Sequence, residues 1–154
     1  MTRGEAWLFH ASNALVAASG LAYAWAAYLA EPEDPYAIVN HPLQPDLQHL
    51  HVLVAPLLVF AGGVVWRSHV AAKLRGNGTT RRTSGWTLLV ALAPCAMSGY
   101  AIQVATEDSW RFAFVAVHLV TSALWIAGSL VHVLARRSER AAAQDAPLPS
   151  STRG

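Results

Sequence analysis

The chain has 154 residues, of which 54% are hydrophobic and 13% charged, and its formal net charge is +2. This composition is too apolar for an ordinary soluble domain of the same size. The small positive charge also argues against a nucleic-acid-binding protein, which would need basic residues clustered on one folded surface.

Four stretches that are free of charge over nearly their whole length predict membrane-spanning helices. Each is long enough to cross about 30 Å of hydrocarbon as a helix. The predicted fold is therefore an all-α integral membrane four-helix bundle in residues 1–137, followed by a disordered cytoplasmic tail, 138–154. The predicted spans cover residues 6–30, 47–67, 83–106 and 112–135.

The first predicted span differs from a cleaved signal peptide. Its apolar run, roughly 25 residues, is longer than a typical signal-peptide core. It also contains His10 and Asn13, which are unusual in a discarded segment. We therefore expect this helix to be retained.

Basic residues are distributed unevenly between the predicted connections. If the N-terminus, the second connection and the tail share one side, ten basic residues lie there, whereas the other side holds Arg111 alone. Because basic residues favour the cytoplasmic side, we expect a multi-pass protein of the bacterial inner membrane with both termini in the cytoplasm. The ten residues are Arg3, Arg67, Lys73, Arg75, Arg81, Arg82, Arg136, Arg137, Arg140 and Arg153.

Two histidines on the fourth span, His118 and His132, are fourteen residues apart, which is close to four helical turns. Their imidazoles therefore face the same way, about 21 Å apart along the helix axis. Ionisable side chains inside a bilayer are costly and are read as functional by default. Since haem iron uses neutral imidazole as a ligand, this spacing indicates two stacked haems.

Two further span histidines match this pair in depth. His10, near the inner end of the first span, lies at the depth of His132, and His51, near the outer end of the second, lies at the depth of His118. The sequence predicts one haem iron bound by His10 and His132 and another bound by His51 and His118. His69 competes with His10, but helical rise places it roughly 27 Å from His51, which is too far for the depth of His132.

Small residues accompany these histidines at helical spacing. They include Gly20 and Gly128, where a flat porphyrin could approach the backbone. Small residues also mediate plain helix–helix packing in membranes, which is the alternative for each glycine. The predicted stripes are His10, Asn13, Ala17, Gly20 and Ala24; His51, Ala55, Leu58 and Gly62; and His118, Thr121, Trp125, Gly128 and His132.

The segment Phe9-His10-Ala11-Ser12-Asn13-Ala14-Leu15, followed by Ser19-Gly20-Leu21, resembles the first helix of small bacterial di-haem b-type cytochromes. That group includes the membrane subunits of formate dehydrogenases and nickel–iron hydrogenases. Ser98-Gly99-Tyr100 resembles its second such step, and Leu50-His51 and the His118/His132 pair match its other ligands. Over residues 5–135 the resemblance implies a four-helix bundle with two b haems, paired as above, and a haem-packing role for Gly99. Ala11 departs from the aromatic residue that is usual there.

The resemblance also implies a function in electron transfer. Iron with two imidazole ligands in haem has no open position for oxygen and transfers single electrons. Members of the group exchange electrons with a quinone and with a periplasmic redox protein, such as a cytochrome c or an iron–sulfur protein of the respiratory chain. The candidate quinone contacts are Asn13, Arg67 and His69 on the inner side and Asp46, Gln48 and His49 on the outer side.

Two alternatives remain from the sequence. A cofactor-free membrane scaffold or assembly subunit would use its histidines for internal hydrogen bonds. A transition-metal carrier would use them for zinc or copper, but should show carboxylates or clustered histidines at mid-depth. The single cysteine, Cys95, excludes an intrachain disulfide and is expected to be a small buried apolar residue.

Overall fold

A computed structural model describes residues 2–32, 34, 36–66, 71 and 82–144, with the backbone alone for 82–87, 89, 136, 137 and 139–144. These residues form four helices and no strand, so the predicted all-α class is confirmed for them. The chain divides into two compact units, in which α1 packs against α2 and α3 against α4. The helices are α1 (Arg3–Tyr28), α2 (Gln44–Val65), α3 (Arg82–Val104) and α4 (Asp108–Gln144).

Polar side chains define the ends of the first hairpin, α1 and α2. At the start of α1, the Glu5 backbone N–H donates to Thr2 Oγ1 (3.2 Å), and the Thr2 N–H donates to the Glu5 carboxylate (2.7 Å). In the connection, Asn40 Nδ2 donates to the carbonyl of Ala27 (2.9 Å), and the Asn40 N–H donates to the Gln44 side chain (3.1 Å). Asn40 therefore joins the end of α1 to the start of α2.

The buried line of α1 consists of small residues seven positions apart, Ser12, Ser19 and Ala26. A seven-residue repeat keeps one line of a helix facing its partner, and small side chains let two backbones approach closely. Ala26 on α1 and Ala61 on α2 have no exposed surface. The first hairpin is thus held by close helix packing. The stripe predicted on α1 lies beside this line, since Gly20 is half-buried and His10 exposed.

The second hairpin, α3 and α4, repeats this pattern. Its buried residues on α3 include Ala91 and Ser98, again seven positions apart, and Trp125 is buried on α4. A Cβ atom at Gly128 of α4 would lie 3.2 Å from Leu88 Cδ2 of α3, so the two helices approach closely there as well. Gly128 is therefore a helix-packing position in this hairpin.

The last helix continues beyond its predicted span. From the sequence, residues 138–154 are expected to be a disordered tail, whereas α4 extends to Gln144. Residues 138–144 are mostly Ala, Arg, Glu and Gln, which favour helix. Ser138 Oγ also donates to the carbonyl of Ala135 (3.1 Å), within the same turn. Residues 145–154 of the predicted tail lie outside the described residues.

Two of the described helices are long and apolar enough to cross a membrane: α2 over its whole length, and α4 from Asp108 to Ala135. Only 22% of the most apolar window of α2 and 6% of that of α4 are buried. Leu53 and Phe112 accordingly expose 75% and 77% of their surfaces. Exposed apolar area of this extent is rare on soluble monomers. The two helices therefore point to association with a membrane.

The other two helices are less apolar. In α3 the described apolar segment is the shorter stretch Val90–Val104. In α1, alanine predominates over larger apolar residues, and Ser12, Asn13 and Ser19 lie within the helix. The structure thus supports four helices and two candidate membrane spans among the described residues.

Replacing Ala26 with Leu should destabilise the first hairpin, because Ala26 has no exposed surface and a larger side chain would have to displace the atoms packed around it. Overpacking of this kind costs about 1–3 kcal/mol. The free energy of unfolding in detergent micelles measures the effect. Ala18→Leu, at an exposed position of α1, is the matched control and should change stability little. Equal losses for the two variants would contradict the buried line.

Candidate functional site

His51 of α2 lies against Ser19 and Gly20 of α1. Ser19 Oγ is 3.0 Å from His51 Nδ1, and a Cβ atom on Gly20 would lie 2.8 Å from His51 Cε1. Real Cβ atoms essentially never approach a neighbour that closely, so the ring occupies space that only glycine leaves open. The half-buried imidazole therefore packs directly on the backbone of the neighbouring helix.

Ser19 Oγ lies between two partners, the backbone carbonyl oxygen of Val16 (3.1 Å) and His51 Nδ1 (3.0 Å). The hydroxyl has one proton, so when it donates to Val16 its oxygen accepts from His51 Nδ1–H. In a neutral ring, a proton on Nδ1 leaves the lone pair on Nε2. Metal-binding histidines show the same arrangement, in which one ring nitrogen donates to the protein and the other binds the metal. The contact of His51 Nδ1 with Ser19 is therefore compatible with binding of a metal through Nε2.

His118 of α4 has similar surroundings in the second hairpin. Its Nδ1 lies 2.9 Å from the carbonyl oxygen of Cys95, and because that oxygen can only accept, Nδ1 carries the proton. Ser98 Oγ is 3.4 Å from the same nitrogen and donates to the carbonyl of Pro94 (2.6 Å). A Cβ atom on Gly99 would lie 3.1 Å from His118 Cε1, which is tight. The hydrogen bond to the Cys95 carbonyl therefore leaves the lone pair of a neutral His118 ring on Nε2.

The two hairpins place a Ser–Gly step opposite a histidine in the same way. The second Ser–Gly step follows the first by 79 positions, and this interval aligns further residues of α1 and α3. This interval is a signal in the sequence that could have identified Ser19 and Ser98 as partners of the histidines. The two serines were not among the predicted site residues. The aligned pairs are Trp7 with Trp86, Ser12 with Ala91, Ser19 with Ser98 and Gly20 with Gly99.

The other two predicted haem ligands have different surroundings. His10 is exposed on α1, with its ring centroid 5.9 Å from that of Phe9. His132 is half-buried on α4, and one turn before it Ser129 Oγ is buried with no hydrogen-bond partner in the described part of the chain. A buried polar atom of this kind marks a position where a further polar group is expected. Ser129 therefore marks such a position one helical turn from His132.

Each predicted haem takes one histidine from each unit. The pairing of His10 with His132 and that of His51 with His118 therefore both stay predictions. Within the described ranges, no three His, Cys, Asp or Glu residues come together as a metal-binding group. Axial coordination of haem requires two imidazoles and no such cluster.

The other described histidines and candidate quinone contacts lie on α1, on α2 and in the connection between them. The ring of His41 lies 5.0 Å from that of Trp25, and its Nδ1 accepts from the Leu43 N–H (3.1 Å), which fixes it in the α1–α2 connection. Asp46 and His49 are exposed, Gln48 and Asn13 are half-buried, and Arg67 and His69 lie outside the described residues.

In comparisons with family models, curated proteins and solved structures, nothing matches the chain. The resemblance to di-haem b-type cytochromes therefore rests on the quoted motifs and stays a hypothesis. Any functional proposal has to be argued from the residues of this chain.

Replacing Gly20 with Ala should displace His51, because the added Cβ would lie 2.8 Å from the ring. A local shift of this kind costs roughly 1–3 kcal/mol. Gly99→Ala should cost less, since its closest contact is 3.1 Å. Thermal unfolding in detergent gives the order.

Gly63→Ala is the control, because a Cβ at that helical position meets nothing within 4 Å. It should be neutral or stabilising by about 0.5–1 kcal/mol, owing to the helix propensity of alanine. A Gly20→Ala variant as stable as Gly63→Ala would show that the ring does not pack on Gly20.

Proposed function

We propose that this protein is a di-haem b-type cytochrome that carries electrons across a bacterial inner membrane. The observation that carries the proposal is the common state of His51 and His118. Each is half-buried, lies against a glycine of the neighbouring helix and has its Nδ1 within 3.0 Å of an oxygen atom of that helix. Haem iron takes neutral imidazole through the opposite nitrogen, so both rings suit axial coordination.

The glycines let the ligand rings lie close to the neighbouring helix. An added Cβ at Gly20 or Gly99 would lie 2.8 or 3.1 Å from the ring of His51 or His118, so the rings occupy the space that the glycines leave. A bound haem with two imidazole ligands would supply reversible one-electron transfer. The chain would hold the ligand rings in orientation and limit access of water.

The proposed arrangement is a four-helix membrane bundle with both termini in the cytoplasm. It is supported by the exposed apolar surfaces of α2 and α4 and by the ten-to-one asymmetry of basic residues. Within it, His10 and His132 would bind an inner haem and His51 and His118 an outer one. Helical rise separates His118 from His132 by about 21 Å along α4, so each would bind a different haem.

Electrons that cross the membrane require a donor and an acceptor. We propose a quinone of the lipid phase at one face and a periplasmic cytochrome c, iron–sulfur protein or partner subunit of an oxidoreductase complex at the other. On the outer side, the exposed Asp46 and His49 lie within two turns of His51 along α2 and could exchange protons with a quinone.

A cofactor-free scaffold or assembly subunit is the second candidate. The bonds from His51 to Ser19 and from His118 to Cys95 would then serve only to satisfy polar groups between packed helices. The exposed apolar surfaces would be covered by other subunits as well as lipid. The haem content of the purified protein separates this candidate from the cytochrome.

The full chain purified from a haem-replete host should contain two b haems per polypeptide. His118→Leu should remove the outer haem, because that haem would lose one of its two axial ligands. Pyridine haemochrome analysis and a reduced-minus-oxidised spectrum measure both quantities. A chain without haem would favour the scaffold.

His49→Leu is the matched control for this experiment. His49 is exposed and lies two residues before His51, so it points to a different face of α2. The variant should keep both haems. Loss of haem in His49→Leu together with full retention in His118→Leu would overturn the assigned ligands.

His10→Leu should abolish the inner haem, whereas His69→Leu should keep both haems, because the depth of His10 in the first span matches that of His132. Redox titration of each variant counts the remaining centres. The reverse result would move the inner site to the second and fourth spans and leave α1 without a ligand.

A further inference from the structure

We infer that Ser19 is a positioning residue, whose hydroxyl holds His51 in its Nδ1–H tautomer, and that His118 is held by the backbone and does not depend on Ser98. Where His51 binds haem, Ser19 would also lower the reduction potential of that iron. The statement about the reduction potential rests on the proposed function, whereas the statements about Ser19 and His118 concern the chain alone.

The two hairpins differ in the atom that accepts the imidazole proton. His51 Nδ1 lies 3.0 Å from the hydroxyl oxygen of Ser19, a side-chain acceptor. His118 Nδ1 lies 2.9 Å from the backbone carbonyl of Cys95, and the Ser98 hydroxyl is farther, at 3.4 Å. A substitution can remove a hydroxyl but not a backbone carbonyl. The equivalent serines therefore have unequal roles.

Ser19 is suited to accept from the ring. It is 5% exposed, and its own proton is directed to the carbonyl of Val16 (3.1 Å). With that proton committed within α1, the oxygen presents a lone pair to His51. A hydroxyl that is free to rotate can donate to a ring nitrogen or accept from a ring N–H, so it suits either tautomer of the ring. The Ser19 hydroxyl, with its proton on Val16, favours the Nδ1–H tautomer.

The redox consequence follows from charge. An imidazole whose Nδ1–H donates a hydrogen bond gains anionic character and becomes a more basic ligand at Nε2. A more basic ligand stabilises oxidised iron more than reduced iron, which lowers the reduction potential. Removing the acceptor at Ser19 should therefore raise the potential of the haem that His51 binds.

The first experiment needs no haem. The full-length chain is labelled with ¹⁵N-histidine, purified in detergent without added haem, and stripped of any bound haem. The His51 resonance is the one that is absent from His51→Leu, and the ring ¹⁵N shifts report its tautomer. Ser19→Ala should convert His51 from Nδ1–H to a mixture of tautomers, while Ser98→Ala leaves His118 unchanged. Unchanged His51 shifts in Ser19→Ala, or equal changes in the two variants, would overturn the inference.

The second experiment uses the haem-loaded protein. Ser19→Ala should raise the midpoint potential of one of two haems, leave the other unchanged, and weaken retention of the affected haem by on the order of 10-fold. Ser98→Ala should change neither potential. Ser19→Thr, which keeps the hydroxyl, should restore the wild-type potential.

The outcomes distinguish the two proposals. Two haems with unchanged potentials in Ser19→Ala would overturn the redox role of Ser19 and leave the cytochrome assignment standing. A wild-type chain without haem would overturn the cytochrome assignment and with it the redox role, while the ¹⁵N shifts would still decide whether Ser19 positions His51.

Discussion

Close contact between an imidazole ring and the neighbouring helix is the constraint that both hairpins share. A polar ring between two helices is costly unless its polar atoms find partners. The partners of Nδ1 are the Ser19 hydroxyl for His51 and the Cys95 carbonyl for His118, and both lie close to a helix backbone. The helices must therefore approach closely, which requires Gly20 and Gly99 beside the rings and small residues along the buried lines.

One set of contacts thus serves packing and chemistry together. The bond from His118 Nδ1–H to the Cys95 carbonyl satisfies the ring between two helices and also leaves the lone pair of a neutral ring on Nε2, the nitrogen that a metal needs. Pro94 contributes to the same arrangement, since its carbonyl accepts from Ser98. An interior proline weakens a helix in water but is tolerated in membrane helices, where other groups compensate for the missing N–H.

Polarity is separated between the inside and the outside of the hairpins. The buried lines carry Ser12, Ser19 and Ser98, whereas large apolar side chains such as Phe60 and Phe112 are exposed. In water this arrangement would be unfavourable, because the hydrophobic effect favours burial of apolar side chains. In a bilayer, lipid covers the apolar side chains, and helices associate through small residues and hydrogen bonds. The distribution within each hairpin therefore agrees with the surfaces of α2 and α4 that point to a membrane.

The sequence by itself determined the helical class, the four helical segments and the histidines that lie within them, because apolar runs and helical spacing are local properties. It placed Trp125, which is buried, on the stripe of α4. The buried line Ser12–Ser19–Ala26 of α1 lies one residue to the side of the stripe predicted to face a haem, and that stripe stays a prediction. The predicted end of the last helix was too early. Residues 138–144 are polar and were interpreted as part of a disordered tail, although they favour helix. Only the tertiary structure decided that Ser19 and the Cys95 carbonyl are the partners of the two rings, because these partners are 32 and 23 residues away along the chain and meet only when the helices pack.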